Sequence, residues 1–92
     1  MATDEPIDDL EQRVIDLVTF VAKALVDETK EVEVYEVEPD RENVRIFELR
    51  VARGDLGKVI GRGGTTARAL RQLVTASTAG EGARVLLDIV ED

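Results

Sequence analysis

The chain has 92 residues, a formal net charge of −8, and 43% hydrophobic but only 3% aromatic residues. It contains neither cysteine nor histidine, which excludes a disulfide framework, a thiolate zinc site and catalysis by a thiol or an imidazole. We expect one small globular domain over residues 1–92 with an aliphatic core and no membrane span, because no apolar run approaches the roughly 20 residues that a spanning helix needs.

The start of the chain is acidic and leads into the first predicted helix. Residues 1–5 lack the basic and apolar segments of a secretory signal, which predicts a frayed terminus and a cytoplasmic protein. Apolar residues then recur at intervals of three and four, which predicts an amphipathic helix over 7–28. Its apolar stripe consists of Ile7, Leu10, Val14, Leu17, Val18, Val21 and Leu25. Pro6 suits the first turn of this helix.

Two strands are predicted next, over 32–38 and 44–51, because both segments are rich in β-branched residues that alternate with charged ones. The polar residues 39–43 form a turn between them, so the pair is a hairpin. The alternation slips once in each strand, at Val34-Tyr35 and at Ile46-Phe47. Either a bulge or apolar contact on both faces of the strand would explain the slip.

The rest of the chain predicts two helical segments and a last strand. Residues 54–60 form one or two helical turns, residues 61–64 a glycine cluster, and residues 65–78 a helix. One side of that helix carries Leu70, Leu73, Val74 and Ser77, and the other carries Arg68, Arg71, Gln72 and Thr75. Residues 84–90 form a well-buried strand. The order is α-β-β-α-α-β, so the fold class is α+β, with a three-stranded sheet and three helices packed on one face.

The charges are distributed unevenly along the chain. Residues 53–71 carry five basic side chains and one acidic side chain, whereas residues 1–52 carry six basic and fifteen acidic ones. Local potential, and not net charge, attracts a phosphate backbone to a site. An acidic body with one basic segment is therefore compatible with nucleic-acid binding at that segment.

The basic segment contains a Gly-x-x-Gly motif, Gly61-Arg62-Gly63-Gly64, that follows an apolar pair and precedes a helix. Glycines let the backbone turn tightly and let a sugar-phosphate chain approach closely, and the N-terminus of the next helix favours anions. Val59 and Ile60 would provide an apolar floor for bases. The predicted RNA-binding residues are Lys58, Val59, Ile60, Gly61, Arg62, Gly63, Gly64, Arg68 and Arg71. A plain glycine-rich joint between two helices is the alternative, while the spacing of a Walker loop or a dinucleotide fingerprint is absent.

These features resemble a type II KH domain. Within that class the chain is similar to the small bacterial single-KH proteins of the KhpA family, on residues Asp55-Leu56-Gly57-Lys58-Val59-Ile60-Gly61 and Ala67-Arg68-Ala69-Leu70-Arg71. The resemblance implies that single-stranded RNA binds in a groove beside the loop. It also implies a homodimer, a heterodimer with a larger KhpB-type protein, and a role as a post-transcriptional regulator or RNA chaperone linked to cell shape. Gly63 departs from the basic or polar residue common in KH loops, which favours modest affinity for one domain.

Two other functions are alternatives to RNA binding. An enzyme is not expected, because paired carboxylates such as Asp8-Asp9 lie near a flexible end, and we expect no cofactor and no metal. The stronger rival is a KH-fold adaptor that mediates dimerisation without binding RNA, which the acidic body would suit. An adaptor, however, has no need for basic side chains such as Lys58, Arg62 and Arg68 beside a glycine-rich turn.

Overall fold

The structure is a computed structural model that describes residues 6–92. Its helices and strands are α1 (Asp9–Leu25), β1 (Glu33–Val37), β2 (Val44–Val51), α2 (Leu56–Ile60), α3 (Thr65–Ser77) and β3 (Arg84–Glu91). Single 3-10 turns occupy Thr29–Glu31, Arg53–Asp55 and Arg62–Gly64. The predicted order and the α+β class are confirmed. The predicted single domain over residues 1–92 stays a prediction, and the predicted fraying of residues 1–5 lies outside the described residues.

Helix α1 is shorter than predicted at both ends. Asp8 is its N-cap and accepts a hydrogen bond from the Glu11 N–H at 2.9 Å, so the helix begins two residues after Ile7. Pro6 therefore precedes the helix, and its predicted first-turn position is wrong. Ile7 is 52% exposed and lies outside the core stripe. The fully enclosed face of α1 instead includes Ala22, which completes the three-and-four spacing after Val18.

The sheet has the order β1-β2-β3, with β1 antiparallel to β2 and β3 parallel to it. The β1–β2 register runs without interruption from Glu33–Arg50 to Val37–Ile46, so the strands contain no bulge. Apolar residues on both faces explain the slip in alternation, because Phe47 is fully buried under the helices while Ile46 lies half-buried on the opposite face. The predicted bounds of the second strand are confirmed, and the first strand is one residue shorter at each end.

The helices cover one face of the sheet, as predicted, and the core lies between these two layers. Its largest fully enclosed side chains are Phe47, Leu49, Leu70, Val14, Val18, Val51, Val59 and Val74. Leu73 was predicted to share one side of α3 with Leu70 and Val74, but it is 47% exposed whereas those two are buried. Strand β3 lies at the edge of the sheet, and only Val85 and Leu87 of its eight residues are buried, so the prediction of a well-buried strand is wrong. Within residues 6–92, no helix is long and apolar enough to cross a bilayer.

Candidate functional site

The Gly-x-x-Gly motif forms a tight loop between α2 and α3. Helix α2 has only five residues and ends at Gly61, whose N–H donates to the Gly57 carbonyl at 2.9 Å. Gly61 has a φ of 77°, and Gly63 and Gly64 have φ values of 63° and 79°. These left-handed conformations are ones that residues with a Cβ rarely adopt. The three glycines therefore allow the chain to reverse between two helices within one short turn.

The glycines differ in what surrounds them. A Cβ on Gly61 would overlap the Thr66 side chain and would lie 2.9 Å from the Thr66 backbone nitrogen. A Cβ on Gly63 or Gly64 would meet nothing within 4 Å. Gly61 is thus required by packing inside the molecule, whereas Gly63 and Gly64 leave an open surface. That open surface is where a sugar-phosphate backbone could approach the main chain.

The loop also presents hydrogen-bond donors. Within the described part of the chain, the N–H groups of Arg62 and Gly63 donate to no backbone carbonyl, while the Gly64 N–H donates to the Gly61 carbonyl at 3.1 Å. The free N–H groups lie immediately before the N-terminus of α3, where the helix dipole favours an anion. Arg62 itself is exposed and forms no ion pair with any residue in 6–92. The loop can therefore bind phosphate through main-chain donors and one arginine.

Lys58, predicted as a second cation of this loop, is held by two carboxylates. Its Nζ lies 3.1 Å from Asp55 Oδ1 and 3.2 Å from Asp27 Oδ2. Hydrogen bonds to Asp55 and then to Asp27 raise the pKa of Lys58. Because both neighbours are negative, they offset the positive charge of Lys58, although its side chain remains 43% exposed. The Asp55–Lys58 spacing of three residues was a signal for this pair, since such residues share a helix face.

The apolar pair before the loop is divided between the core and the surface. Val59 is fully buried in the core, so its side chain supports the loop from beneath and is not available as a floor for bases. Ile60 is half-buried and is the only member of the pair with a surface to offer. Sequence periodicity over so short a helix could not decide which residue faces inward.

A groove of about 700 Å³ lies between the C-terminal half of α3 and the edge strand β3. Its lining includes Arg71, Thr75, Thr78, Arg84 and Asp88. Arg71 bridges the groove, because its Nε donates to the Leu87 carbonyl of β3 at 3.0 Å. The exposed Arg68 lies one turn earlier on the same side of α3, between the loop and the groove. The loop, Arg68 and the groove therefore follow one another along α3.

Sequence reasoning found the loop but missed the far wall of the groove. Thr78 and Arg84 flank the turn between α3 and β3, and no motif or periodicity distinguishes them as binding residues. Thr66 was missed as well, although it packs against Gly61 and fixes the loop. These residues are brought together by the packing of α3 on the sheet, which a linear pattern does not encode.

The chain is similar to known bacterial proteins. A family model described as KhpA/KhpB, KH domain, matches residues 15–89. RNA-binding protein KhpA of Borreliella burgdorferi is 43% identical over 77 residues, which cover 84% of this chain and 92% of that protein. RNA-binding protein KhpA of Aquifex aeolicus is 47% identical over 76 residues, covering 83% of this chain and 94% of that protein.

Two solved structures of Era share the fold. A variant of Aquifex aeolicus Era bound to GDP and aluminium fluoride superposes with a TM-score of 0.62. Era in complex with MgGDPNP and a segment of 16S ribosomal RNA superposes with a TM-score of 0.54. Both are 24% identical, and both matches cover 99% of this chain but only 33% and 32% of the Era chains. At this identity the likeness concerns the fold alone.

Proposed function

This chain belongs to the KhpA/KhpB KH-domain family, and from that premise we propose that it binds single-stranded RNA. The phosphate backbone would contact the loop of residues 61–64 at Arg62 and at the free N–H groups. The bases would enter the groove between α3 and β3, past Arg68 and Arg71. We propose no catalytic activity for this surface.

The observation that carries this proposal is the conformation of the loop. Gly63 and Gly64 adopt left-handed φ values although nothing inside the protein occupies the space around them. Gly63 and Gly64 stand directly before the N-terminus of the 13-residue helix α3, where such a backbone conformation favours anion binding. A glycine-rich turn that only connected α2 to α3 would not need this feature. In KH domains the loop clamps the backbone of about four nucleotides, which is the length of RNA expected at this site.

Further properties rest on the family resemblance. We propose that the protein forms a homodimer, since avidity would compensate for modest affinity in one domain, and that it pairs with a larger KhpB-type protein. Roles as a post-transcriptional regulator or RNA chaperone, a link to cell shape and a cytoplasmic location stay predictions. Light scattering at micromolar concentration would test the dimer, because a mass that stays at the monomer value of 10.1 kDa would contradict it.

The test of RNA binding is the double substitution Arg62→Asp with Gly63→Asp. Both positions are exposed, and aspartate tolerates left-handed φ better than most residues, so the fold should survive. Two carboxylates would then face the phosphate path, which should weaken binding at least thirtyfold, equivalent to roughly 2 kcal/mol or more. Fluorescence anisotropy of a short labelled single-stranded RNA would measure the affinity, and circular dichroism would check the fold.

Arg41→Asp with Asn43→Asp is the matched control. It makes the same change in charge, also at one exposed arginine and one exposed residue of positive φ, and neither residue belongs to the loop or lines the groove. The control should bind RNA within about threefold of the parent. If the folded loop variant binds as tightly as the parent, the loop is not the RNA site. If neither the parent nor the variants bind RNA but all of them still form dimers, the protein is an adaptor.

A further inference from the structure

The buried carboxylate of Asp55 links the end of α1 to the start of the loop-bearing helix α2. Its side chain is only 4% exposed. Oδ2 accepts a hydrogen bond from the Glu28 N–H at 2.9 Å, and Oδ1 lies 3.1 Å from Lys58 Nζ. The N–H of Glu28 is the main influence that lowers the pKa of Asp55, which Lys58 lowers further against the effect of burial. One carboxylate thus joins the backbone after α1 to a side chain of α2.

Helix α2 needs such a link because it is too short to hold its own position. It has five residues, far below the length at which a helix is stable in isolation. Val59 is its only fully buried side chain, and Gly57 contributes none. The direction of the loop that follows therefore depends on few contacts, of which the hydrogen bond from the Glu28 N–H to Asp55 is a directional one.

We propose, building on the RNA-binding function above, that Asp55 and Lys58 are positioning residues for the 61–64 loop. Lys58, whose side chain is 43% exposed, acts as the counter-charge of the buried Asp55 carboxylate, and it does not serve as a phosphate contact. The phosphate-facing charge comes from Arg62 and Arg68, which form no ion pair within residues 6–92. Removing Lys58 from Asp55 to reach RNA would leave a buried charge without its partner, which is costly.

The effect of Asp55→Asn on RNA affinity distinguishes the two roles of Lys58. If Lys58 contacted phosphate, removing a neighbouring negative charge would strengthen binding. If the pair positions the loop, Asp55→Asn should weaken binding by about tenfold, Lys58→Met should weaken it as much, and the double variant should stay about tenfold weaker than the parent, as coupled residues behave. The double variant also restores the local charge of the parent, so recovery of parental affinity would indicate a purely electrostatic role and overturn the proposal.

The salt dependence gives an independent reading of the same variants. Each phosphate contact on a single strand contributes about −0.7 to the slope of log affinity against log salt. Lys58→Met should leave the slope unchanged, whereas Arg62→Gln should make it shallower by about 0.7. Asp27→Asn is the matched control, because it removes the other carboxylate from Lys58 but leaves the buried one, and it should bind at least as tightly as the parent. A shallower slope for Lys58→Met would contradict the positioning role.

Hydrogen exchange tests the proposal without RNA, so its failure can be told apart from failure of RNA binding. Asp55→Asn should accelerate exchange about tenfold at the N–H groups of Gly61 and Gly64, whose hydrogen bonds close the loop, and leave Leu49 in the core of β2 unchanged. Lys58→Arg keeps the charge and should keep parental exchange. Equal exchange at Gly61 and Gly64 in Asp55→Asn and the parent would overturn the proposal even if RNA binds.

Discussion

At the scale of single residues, the structure predicts opposite effects on stability for alanine substitutions at two glycines that look alike in the sequence. Gly61→Ala places a Cβ against Thr66 and forces alanine to a φ of 77°, so it should destabilise the protein by on the order of 2–4 kcal/mol. Gly57→Ala, inside α2 with open space around it, should stabilise the protein by about 0.5–1 kcal/mol. Urea denaturation would measure both. An alanine at Gly61 that costs nothing would contradict the loop conformation.

The residues of the candidate site were predictable to different degrees. The Gly-x-x-Gly spacing identified the loop, because the need for left-handed backbone restricts which residues can stand there. The state of Lys58 was not predictable from a count of local charges, since Asp27 reaches it from the end of α1. Arg71 likewise donates to a carbonyl of β3, a strand that follows it in the chain. Partners that tertiary packing supplies are invisible to a motif.

At the scale of elements, the N-terminus of α1 predicts a dependence of stability on pH. Hydrogen bonds from Arg45 and then from the Glu11 N–H hold the pKa of Asp8 below its ordinary value of 3.8. A carboxyl group whose pKa is lower in the folded state than in the unfolded state stabilises the fold. This stabilisation is complete at a pH above the unfolded-state pKa, and it is lost as the pH falls below about 4 towards the folded-state pKa. Glu11 opposes this effect, because burial and Glu36 raise its pKa. Thermal melts should therefore show Tm falling less steeply below pH 4 in Asp8→Asn than in the parent.

A second substitution at the same position separates the cap from the ion pair. Asp8→Ala removes both the N-cap acceptor and the partner of Arg45, whereas Asp8→Asn keeps a cap acceptor. Asp8→Ala should cost about 1 kcal/mol in unfolding free energy at neutral pH, and Asp8→Asn less, because a solvent-exposed ion pair contributes little. Equal stability of the alanine variant and the parent would show that the cap does not stabilise α1.

The accuracy of the predicted elements follows from how strongly each is specified locally. Strand β2 was predicted with its observed bounds, since it is the central strand and its β-branched run ends at polar residues on one side. Helix α1 was predicted too long, because Ile7 continues the apolar period although Asp8 caps the helix after it. Spacing placed Leu73 on the same side of α3 as Leu70 and Val74, yet the buried residues of α3 form the narrower line of Ala67, Leu70 and Val74. Periodicity predicts which face of a helix is buried, but it does not predict how wide a stripe of that face the neighbouring elements cover.

At the scale of the whole molecule, the charges favour a confined site over a general affinity for nucleic acids. The formal charge is −8, and acidic residues dominate outside residues 53–71. Inside that segment two carboxylates offset the charge of Lys58, whereas the arginines beside the loop and groove form no ion pair within residues 6–92 and are the attractive feature. A backbone that threads past the loop meets these arginines, while a wider ligand would also face the acidic body.

This arrangement predicts a preference for single strands over duplexes. A single-stranded RNA can pass Arg62 and place unpaired bases in the groove of about 700 Å³, whereas a duplex cannot enter it and brings more phosphates against the acidic surface. Anisotropy titrations with a labelled single strand and with the same strand annealed to its complement should differ by at least tenfold in Kd. With Arg62, Arg68 and Arg71 as contacts, the salt slope for the single strand should be about −2. Equal affinity for both forms would mean that the basic segment binds polyanions generally and that the groove does not read bases.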